Sequence, residues 1–314
     1  MKISSDQFDV PVVLLVYNRP QFTASALAPL RSIRPRRLLI VADGPKSNRA
    51  DDERRCREVA EILDTIDWPC QIDVNRAAAN LGCRKRVQTG LDWVFETVDR
   101  AIIVEDDCVL DPSFFPFSRE LLDRYEGNER VHVIGASNGQ LGFKTGPDSY
   151  YFTRYPMIWG WATWRRTWKI YDRDIDAWPG LKAESWLNSF FDDPLAAEYW
   201  AHNFDRIRQG FDTWDYSLIF SSWKANGVSI CPRTNLVTNI GWGPDSTHTN
   251  DPQSVYANMP LEPLTFSLKH PADIAVRRDL DARVERLAFS GTTQQLLTNA
   301  RTLLRQRRGL DKAR

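Results

Sequence analysis

Three consecutive carboxylates, Glu105-Asp106-Asp107, follow the apolar run Ala101 to Val104. Like charges packed this closely repel one another unless a cation or hydrogen-bond donors neutralise them. Hard oxygen donors of this kind suit Mn2+ or Mg2+, ions that keep open positions for substrate phosphates. A solvated acidic turn is the plain alternative. Placement directly after an apolar strand, with cations on neighbouring strand ends, favours a metal site.

Those cations are Arg19, in the segment Tyr17-Asn18-Arg19-Pro20, and Arg84 and Lys85, in Asn80 to Arg86. Arg and Lys so placed can pair with a diphosphate, although any single one is more often a solvated charge. Asp43, before Gly44-Pro45, can accept a hydrogen bond from a nucleotide base or ribose, and is equally a turn former. Asp212 and Asp215 are candidates for a general base. Trp214 and Tyr216 flank Asp215, and partial desolvation would raise its proton affinity into a useful range. Asp212 also suits a helix cap. His248 sits in a polar, Gly-containing segment that reads either as a loop folding over phosphates or as exposed loop. Trp159, Trp161, Trp164 and Trp168 offer flat faces to a sugar or, by the commoner use of Trp, pack a core. Gly160 between two of them implies a close backbone approach.

Residues that lie far apart in the chain must be brought together by the fold. Val- and Ile-rich runs at Val12 to Tyr17, Leu38 to Ala42, Gln71 to Val74, Ala101 to Val104 and Val131 to Ile134 read as strands. Helical patterning fills Asp52 to Ile66, Arg84 to Glu96 and Ser113 to Tyr125 between them. Such alternation predicts an α/β fold with a mostly parallel sheet flanked by helices. Ligands in such sheets sit beyond the carboxyl ends of the strands, where Arg19, Asp43 and Glu105 to Asp107 fall. From about Tyr150 the alternation fails.

The 314 residues suffice for a substantial core, and 42% hydrophobic content with 12 Trp, 15 Phe and 9 Tyr excludes a disordered chain. The 41 basic and 41 acidic residues cancel, so the footprint of a nucleic-acid binder is missing. From Ala275 onward ten Arg or Lys face four Asp or Glu, a charge of +6. That stretch reads as a basic helical tail, with Leu287, Leu296, Leu297, Leu303 and Leu304 as its apolar positions. It either packs on the rest of the chain or makes a peripheral membrane contact. Five irregularly spaced Cys without a Cys-x-x-Cys pair point to a reducing, cytoplasmic setting, at most peripheral at the inner face of a membrane.

Taken together, these segments resemble the nucleotide-sugar glycosyltransferases of the GT-A (Rossmann-like) fold, and within them the inverting N-acetylglucosaminyltransferase I type and its bacterial relatives. Gly90 to Ser118 carries the strand, acidic triplet, apolar pair and aromatic helix start in the family's order. Val12 to Pro20, Leu38 to Gly44 and Pro156 to Trp161 extend the likeness. The resemblance implies a GT-A domain over residues 1–270, with a nucleotide-binding half at 10–150 and an acceptor half at 151–270, then the tail at 271–314. It implies that Arg19 and Arg84 contact diphosphate or base, Asp43 the base, Glu105 the donor sugar and Asp106 the ribose. Asp107 would ligate the metal, while Gly160 and Trp161 would border the donor sugar. Tyr17, Asn18, Lys85 and His248 join the nucleotide-sugar site on the same likeness.

Trp214-Asp215 matches the pair that supplies the catalytic base, leaving Asp192, Asp193 and Asp212 as rivals. The implied activity is metal-dependent, inverting transfer of a sugar from a nucleoside-diphosphate sugar, a UDP-sugar by preference, to a glycan or lipid-linked acceptor in bacterial surface polysaccharide assembly. A sugar-nucleotide nucleotidyltransferase would share the sheet and the metal, but strand one is followed by Tyr17 to Pro20 and not by a Gly-rich basic loop. A non-catalytic carbohydrate-binding protein would use the Trp cluster as its platform.

Overall fold

The computed structural model describes residues 7–191, 193–243 and 254–288. The chain divides into two compact units, Met1–Arg173 with Asp212–Arg277, and Asp174–Phe211 with Arg278–Arg314.

The first unit opens with alternating elements: β1 (Val12–Val16), α1 (Pro20–Ile33), β2 (Arg37–Ala42), α2 (Asp52–Asp64), β3 (Gln71–Arg76), α3 (Cys83–Thr97) and β4 (Arg100–Glu105). Pro20 at the first position of α1 presets the helical φ where no N–H partner is needed. Asp52 and Glu53 in the first turn of α2 complement its dipole. Gly82, at φ 79°, turns the chain into α3 through a conformation that costs a residue with a Cβ. A short β5 (Cys108–Leu110), α4 (Phe114–Arg124) and β6 (Val131–Gly135) follow.

Beyond residue 150 the sheet continues, with β7 (Tyr150–Thr153), β8 (Trp161–Trp164), the single-turn α5 (Arg165–Lys169), and, after the second unit's insertion, α8 (Asp215–Lys224), β9 (Val228–Pro232) and β10 (Val237–Asn239). Among the described residues one sheet of eight strands runs β3-β2-β1-β4-β8-β6-β9-β7. β3, β2, β1 and β4 are mutually parallel, with Val12 opposite both Leu38 and Ile102. β8 is antiparallel to β4 and β6, β9 is parallel to β6, and β7 is antiparallel to β9. β10 pairs with β5 in a separate ribbon.

Because strand side chains alternate between faces, β1 feeds two cores. Val12, Leu14 and Val16 pack with Leu38, Ile40 and Ile102 and with α1, α2 and α4, through Leu27, Leu63 and Phe114 among others. Val13 and Leu15 pack with Leu39, Val41 and Ile103 and with α3 through Val87, Leu91 and Val94. Burying each such side chain contributes roughly 1.5–3 kcal/mol.

The second unit holds α6 (Trp178–Ala183), a 3-10 turn at Trp186–Ser189, α7 (Pro194–Arg208) and α9 (Arg278–Ala288). Asp205 accepts from Trp178 Nε1 at 2.9 Å and Lys182 Nζ at 2.6 Å. In α9, Leu280 and Val284 are buried one turn apart while Leu287 is exposed. The tail leucines 296, 297, 303 and 304 lie outside the described residues. Among the described residues no helix is long and apolar enough to cross a membrane.

Candidate functional site

The chain passes from β1 to β2 on one side and reaches β4 on the other, so the strand order reverses between β1 and β4. At such a switch point the loops leaving adjacent carboxyl ends part and open a crevice. A cleft of about 600 Å³ lies there, lined by Tyr17 to Arg19 after β1, Asp43 after β2, Gly82 and Cys83 at the start of α3, Glu105 to Asp107 after β4, Thr213 to Asp215 and Asn239.

Asp106 and Asp107 form the turn between β4 and β5 and are 2% and 8% exposed, so the acidic turn is not solvated. Arg19 supplies its neutralising cation. Its Nε donates to Asp106 Oδ2 at 3.2 Å, one terminal nitrogen to Asp106 Oδ1, and the other to Asp107 Oδ2 at 2.9 Å. One guanidinium does not balance the cluster. Burial pushes the Glu105 carboxyl up to about 8, reinforced by Asp107 and opposed by Arg19, with Asp215 adding to the rise. Burial likewise pushes Asp106 up to about 6, with Arg19 opposing.

Among the described residues no three His, Cys, Asp or Glu side chains converge as a metal cage. The donor set instead fits an ion held by one carboxylate and by substrate oxygens, the usual arrangement for Mg2+ with phosphates. β10 closes on Asp107 without a side chain between them. Pairing of Asn239 with Cys108 brings Gly241 against Asp107, where an added Cβ would lie 2.3 Å from Asp107 Oδ2. The Ile240 N–H donates to the Asp107 carbonyl at 2.9 Å and fixes this approach.

The rival base residues separate by what they touch. Asp193 caps α7, accepting from the Leu195 N–H at 2.9 Å, and belongs to the second unit. Asp192 lies outside the described residues. Asp212 lines the cleft but accepts the Arg84 backbone N–H at 2.8 Å, capping α3. Asp215 lines the cleft at the first position of α8, and Thr213 Oγ1 donates to its Oδ1. The neighbouring Trp214 is buried, stacked on Trp161 with ring centroids 5.6 Å apart, so α8 and with it Asp215 are anchored in the core.

The other expected residues divide between the cleft and its surroundings. Asp43 Oδ1 accepts from the Gly44 and Leu81 N–H groups, each at 2.9 Å, and Oδ2 from Asn80 Nδ2 at 2.8 Å. It therefore clamps the β2 and β3 loops together while presenting an edge to the cleft. Burial raises its carboxyl, and those N–H bonds oppose the rise. Arg84 donates to the Arg173 carbonyl at 2.8 Å, and neither it nor Lys85 lines the cleft. Trp161 is fully buried, Trp164 and Trp168 nearly so, so these three are core and form no sugar platform. Gly160, at φ 63° and pressed on Leu110, is likewise off the cleft wall, whereas Ile158 and the half-buried Trp159 are on it. His248 lies outside the described residues.

Several residues at or behind the cleft wall carried little signal in the sequence. Arg86, one turn from Gly82, donates to the Ala42 carbonyl at 3.1 Å and the Asn75 carbonyl at 2.7 Å, pinning the ends of β2 and β3. Lys46 and Arg49 add cations in the loop after β2. Asp52, with no exposed surface, accepts from Tyr17 Oη, Asn18 Nδ2 and, at 2.6 Å, the Lys46 N–H. Burial would raise its carboxyl, but those bonds outweigh it and leave Asp52 below the ordinary carboxylate range. Only its place as the first residue of an acidic helix start pointed to it.

No protein-family model matches the chain, and no curated protein matches it by sequence. Among solved structures, a mannosyltransferase from Pyrobaculum calidifontis in complex with GDP-Man and Mn2+ is 11% identical, covering 51% of this chain and 45% of that one, with TM-score 0.35. A UDP-glucose pyrophosphorylase complexed with UDP-glucose is 8% identical over 51% and 78%, with TM-score 0.30. HddC from Yersinia pseudotuberculosis complexed with GMP-PN is 9% identical over 50% and 78%, with TM-score 0.32. The chain thus spans less than half the length of the mannosyltransferase. Likenesses of this size carry no activity, ligand or residue role over to this chain.

Proposed function

We propose that the chain is a metal-assisted, inverting glycosyltransferase that moves a sugar from a nucleoside-diphosphate sugar, by preference a UDP-sugar, to a hydroxyl of a glycan or lipid-linked acceptor. Surface polysaccharide assembly in a bacterium is the setting this reading favours. The observation that carries it is the meeting of Glu105, the buried Asp106-Asp107 turn, Arg19 and Asp215 in one cleft at the switch point. Such a cleft has hard anionic oxygens for a cation, a guanidinium for phosphate, and a separate carboxylate for a proton.

Asp107 would hold the divalent ion, which when bound would supply charge neutralisation of the leaving diphosphate. Arg19 takes a share of that charge as the bond from the anomeric carbon to the diphosphate oxygen breaks and its electron pair leaves with phosphate. Asp43 and the Asp52-held Tyr17 and Asn18 seat the nucleoside, with Asp106 toward the ribose and Glu105 toward the donor sugar. Asp215 accepts the acceptor hydroxyl proton as that oxygen bonds to the anomeric carbon from the opposite face, inverting it. Thr213, bonded to Asp215 Oδ1, leaves Oδ2 for the proton.

The test is release of nucleoside diphosphate from a panel of UDP-, GDP-, dTDP- and CDP-sugars, with Mn2+ and with EDTA. The reading predicts metal-dependent release for one base class. It also predicts that Asp215→Asn keeps nucleotide binding but loses transfer by about 100-fold or more, the scale of general-base contributions. Undiminished transfer by Asp215→Asn overturns its assignment as the base.

A further inference from the structure

All three guanidinium nitrogens of Arg19 are committed to the acidic turn: two to the oxygens of Asp106 and one to Asp107 Oδ2. The Arg19 side chain is 22% exposed, and its guanidinium lies 5.3 Å from the Phe22 ring centroid, so the pose is packed as well as paired. The other Asp107 oxygen, Oδ1, faces the Cys108 thiol at 3.5 Å. The Asp107 oxygen turned away from that thiol, which Gly241 approaches, is therefore the one Arg19 already holds.

A divalent ion and a guanidinium nitrogen on one carboxylate oxygen would stand within a few ångströms of each other and repel strongly in so buried a site. A diphosphate offers Arg19 an alternative, because phosphate oxygens accept the same two-pronged donor geometry as a carboxylate. We infer that Arg19 is a resident counter-ion that keeps divalent cations off Asp107 until a nucleoside diphosphate draws the guanidinium onto its phosphates. This deepens the transferase reading and rests on it. Because binding couplings are reciprocal, metal and nucleotide each tighten the other. Until then Arg19 offsets part of the negative charge of the acidic turn.

Mn2+ binding followed by electron paramagnetic resonance, with no sugar and no turnover, tests the inference. Without nucleotide, the wild-type protein is expected to bind Mn2+ at least about tenfold more weakly than Arg19→Met. Arg19→Lys is expected in between, since an ammonium cannot bridge both carboxylates in the same fork. The gain must vanish in Arg19→Met/Asp107→Asn, which ties it to Asp107. Adding UDP, GDP, dTDP or CDP in turn to the wild type should restore tight Mn2+ binding for one of them.

Equal nucleotide-free Mn2+ binding by wild type and Arg19→Met overturns the inference, as does a gain that survives Asp107→Asn. If Arg19→Met does not melt cooperatively, Arg19→Lys decides in the same way. Tight Mn2+ binding by the nucleotide-free wild type that Asp107→Asn removes refutes the inference without any Arg19 variant. A gain in Arg19→Met with no response of the wild type to any diphosphate upholds the counter-ion and overturns the nucleotide-sugar reading instead.

Discussion

Asp212 caps helix α3 from 128 positions away in the chain, its Oδ1 accepting the Arg84 backbone N–H at 2.8 Å. Gly82, directly before that helix, leaves room for the carboxylate, since an added Cβ would lie 3.0 Å from Asp212 Oδ2. The bond separates two acidic residues that look interchangeable in sequence. Asp212 serves the helix start, while Asp215 keeps an oxygen for the cleft. Asp212→Ala should cost about 1 kcal/mol, the scale of a lost cap, whereas Asp215→Asn should leave the melting temperature nearly unchanged. Urea titration of both variants checks this, and a reversed order of stability would count against the division of roles.

Gly241 should tolerate no side chain. A Cβ there meets Asp107 Oδ2, Cβ and Cγ within 2.8 Å, so the carboxylate or the β10 loop must move. Gly241→Ala is expected to cost about 1–3 kcal/mol, the usual penalty of overpacking, and to weaken metal-dependent nucleotide binding more than Gly127→Ala, which meets no neighbour. Thermal melts with and without nucleotide and Mn2+ measure both effects.

Asp52 links the loops after β1 and β2 through three accepted bonds without any exposed surface. Its removal leaves the buried Asn18 amide without this acceptor, at about 1–3 kcal/mol, and takes a partner from the part-buried Tyr17 hydroxyl and Lys46 N–H. Asp52→Ala should therefore destabilise strongly. Asp52→Asn keeps the shape and some of the bonds, so it should cost less and lower nucleotide affinity through Tyr17 and Asn18.

His132 gives the fold a pH dependence that lies away from the cleft. Its Nε2 faces the Glu129 carbonyl at 3.0 Å, which can only accept, so Nε2 carries the proton and Nδ1 accepts from Ser222 Oγ at 3.0 Å. Burial lowers its basicity below the ordinary 6.5, the Glu129 carbonyl opposes, and Arg166 adds to the lowering. The native ring thus stays neutral at a pH where the unfolded ring takes up a proton. Stability from this group is present above about 6.5 and is lost as pH falls below it. The stability cost of His132→Gln should accordingly be larger at pH 7.5 than at pH 5.5. A cost that grows on acidification would contradict the assignment.

Much of the sheet is legible because the parallel strands β1, β2 and β4 are buried on both faces and read as nearly unbroken apolar runs. Val12 to Val16 and Ala101 to Val104 are such runs, and their carboxyl ends do carry Arg19 and Glu105 to Asp107 into one cleft. Helix phase is less legible. Cys83, Arg86, Val87 and Gly90 share the face of α3 turned to the sheet and cleft, so Arg86 enters the site, whereas Arg84 and Lys85, one and two positions after Cys83, turn away from it. Three-residue strands such as β5 and β10 carry too little periodicity to be seen, yet their pairing sets Gly241 on Asp107 across more than 130 positions. The Trp-rich run held both a core and a ligand reading, and Trp161 joins the core because Trp214 stacks on it.

The central claim is that the cleft binds a nucleoside diphosphate together with a divalent ion at Asp107. Its most direct test is a thermal-shift titration of the full chain with UDP, GDP, dTDP and CDP, each with Mn2+, with Mg2+ and with EDTA, alongside Asp107→Asn. A ligand that binds only the folded state raises stability by mass action, by about 2.7 kcal/mol at 100 times its dissociation constant. The account predicts a metal-dependent rise for one base class that Asp107→Asn abolishes. A cooperative melt unmoved by every nucleotide, or a rise that EDTA and Asp107→Asn leave intact, would contradict it.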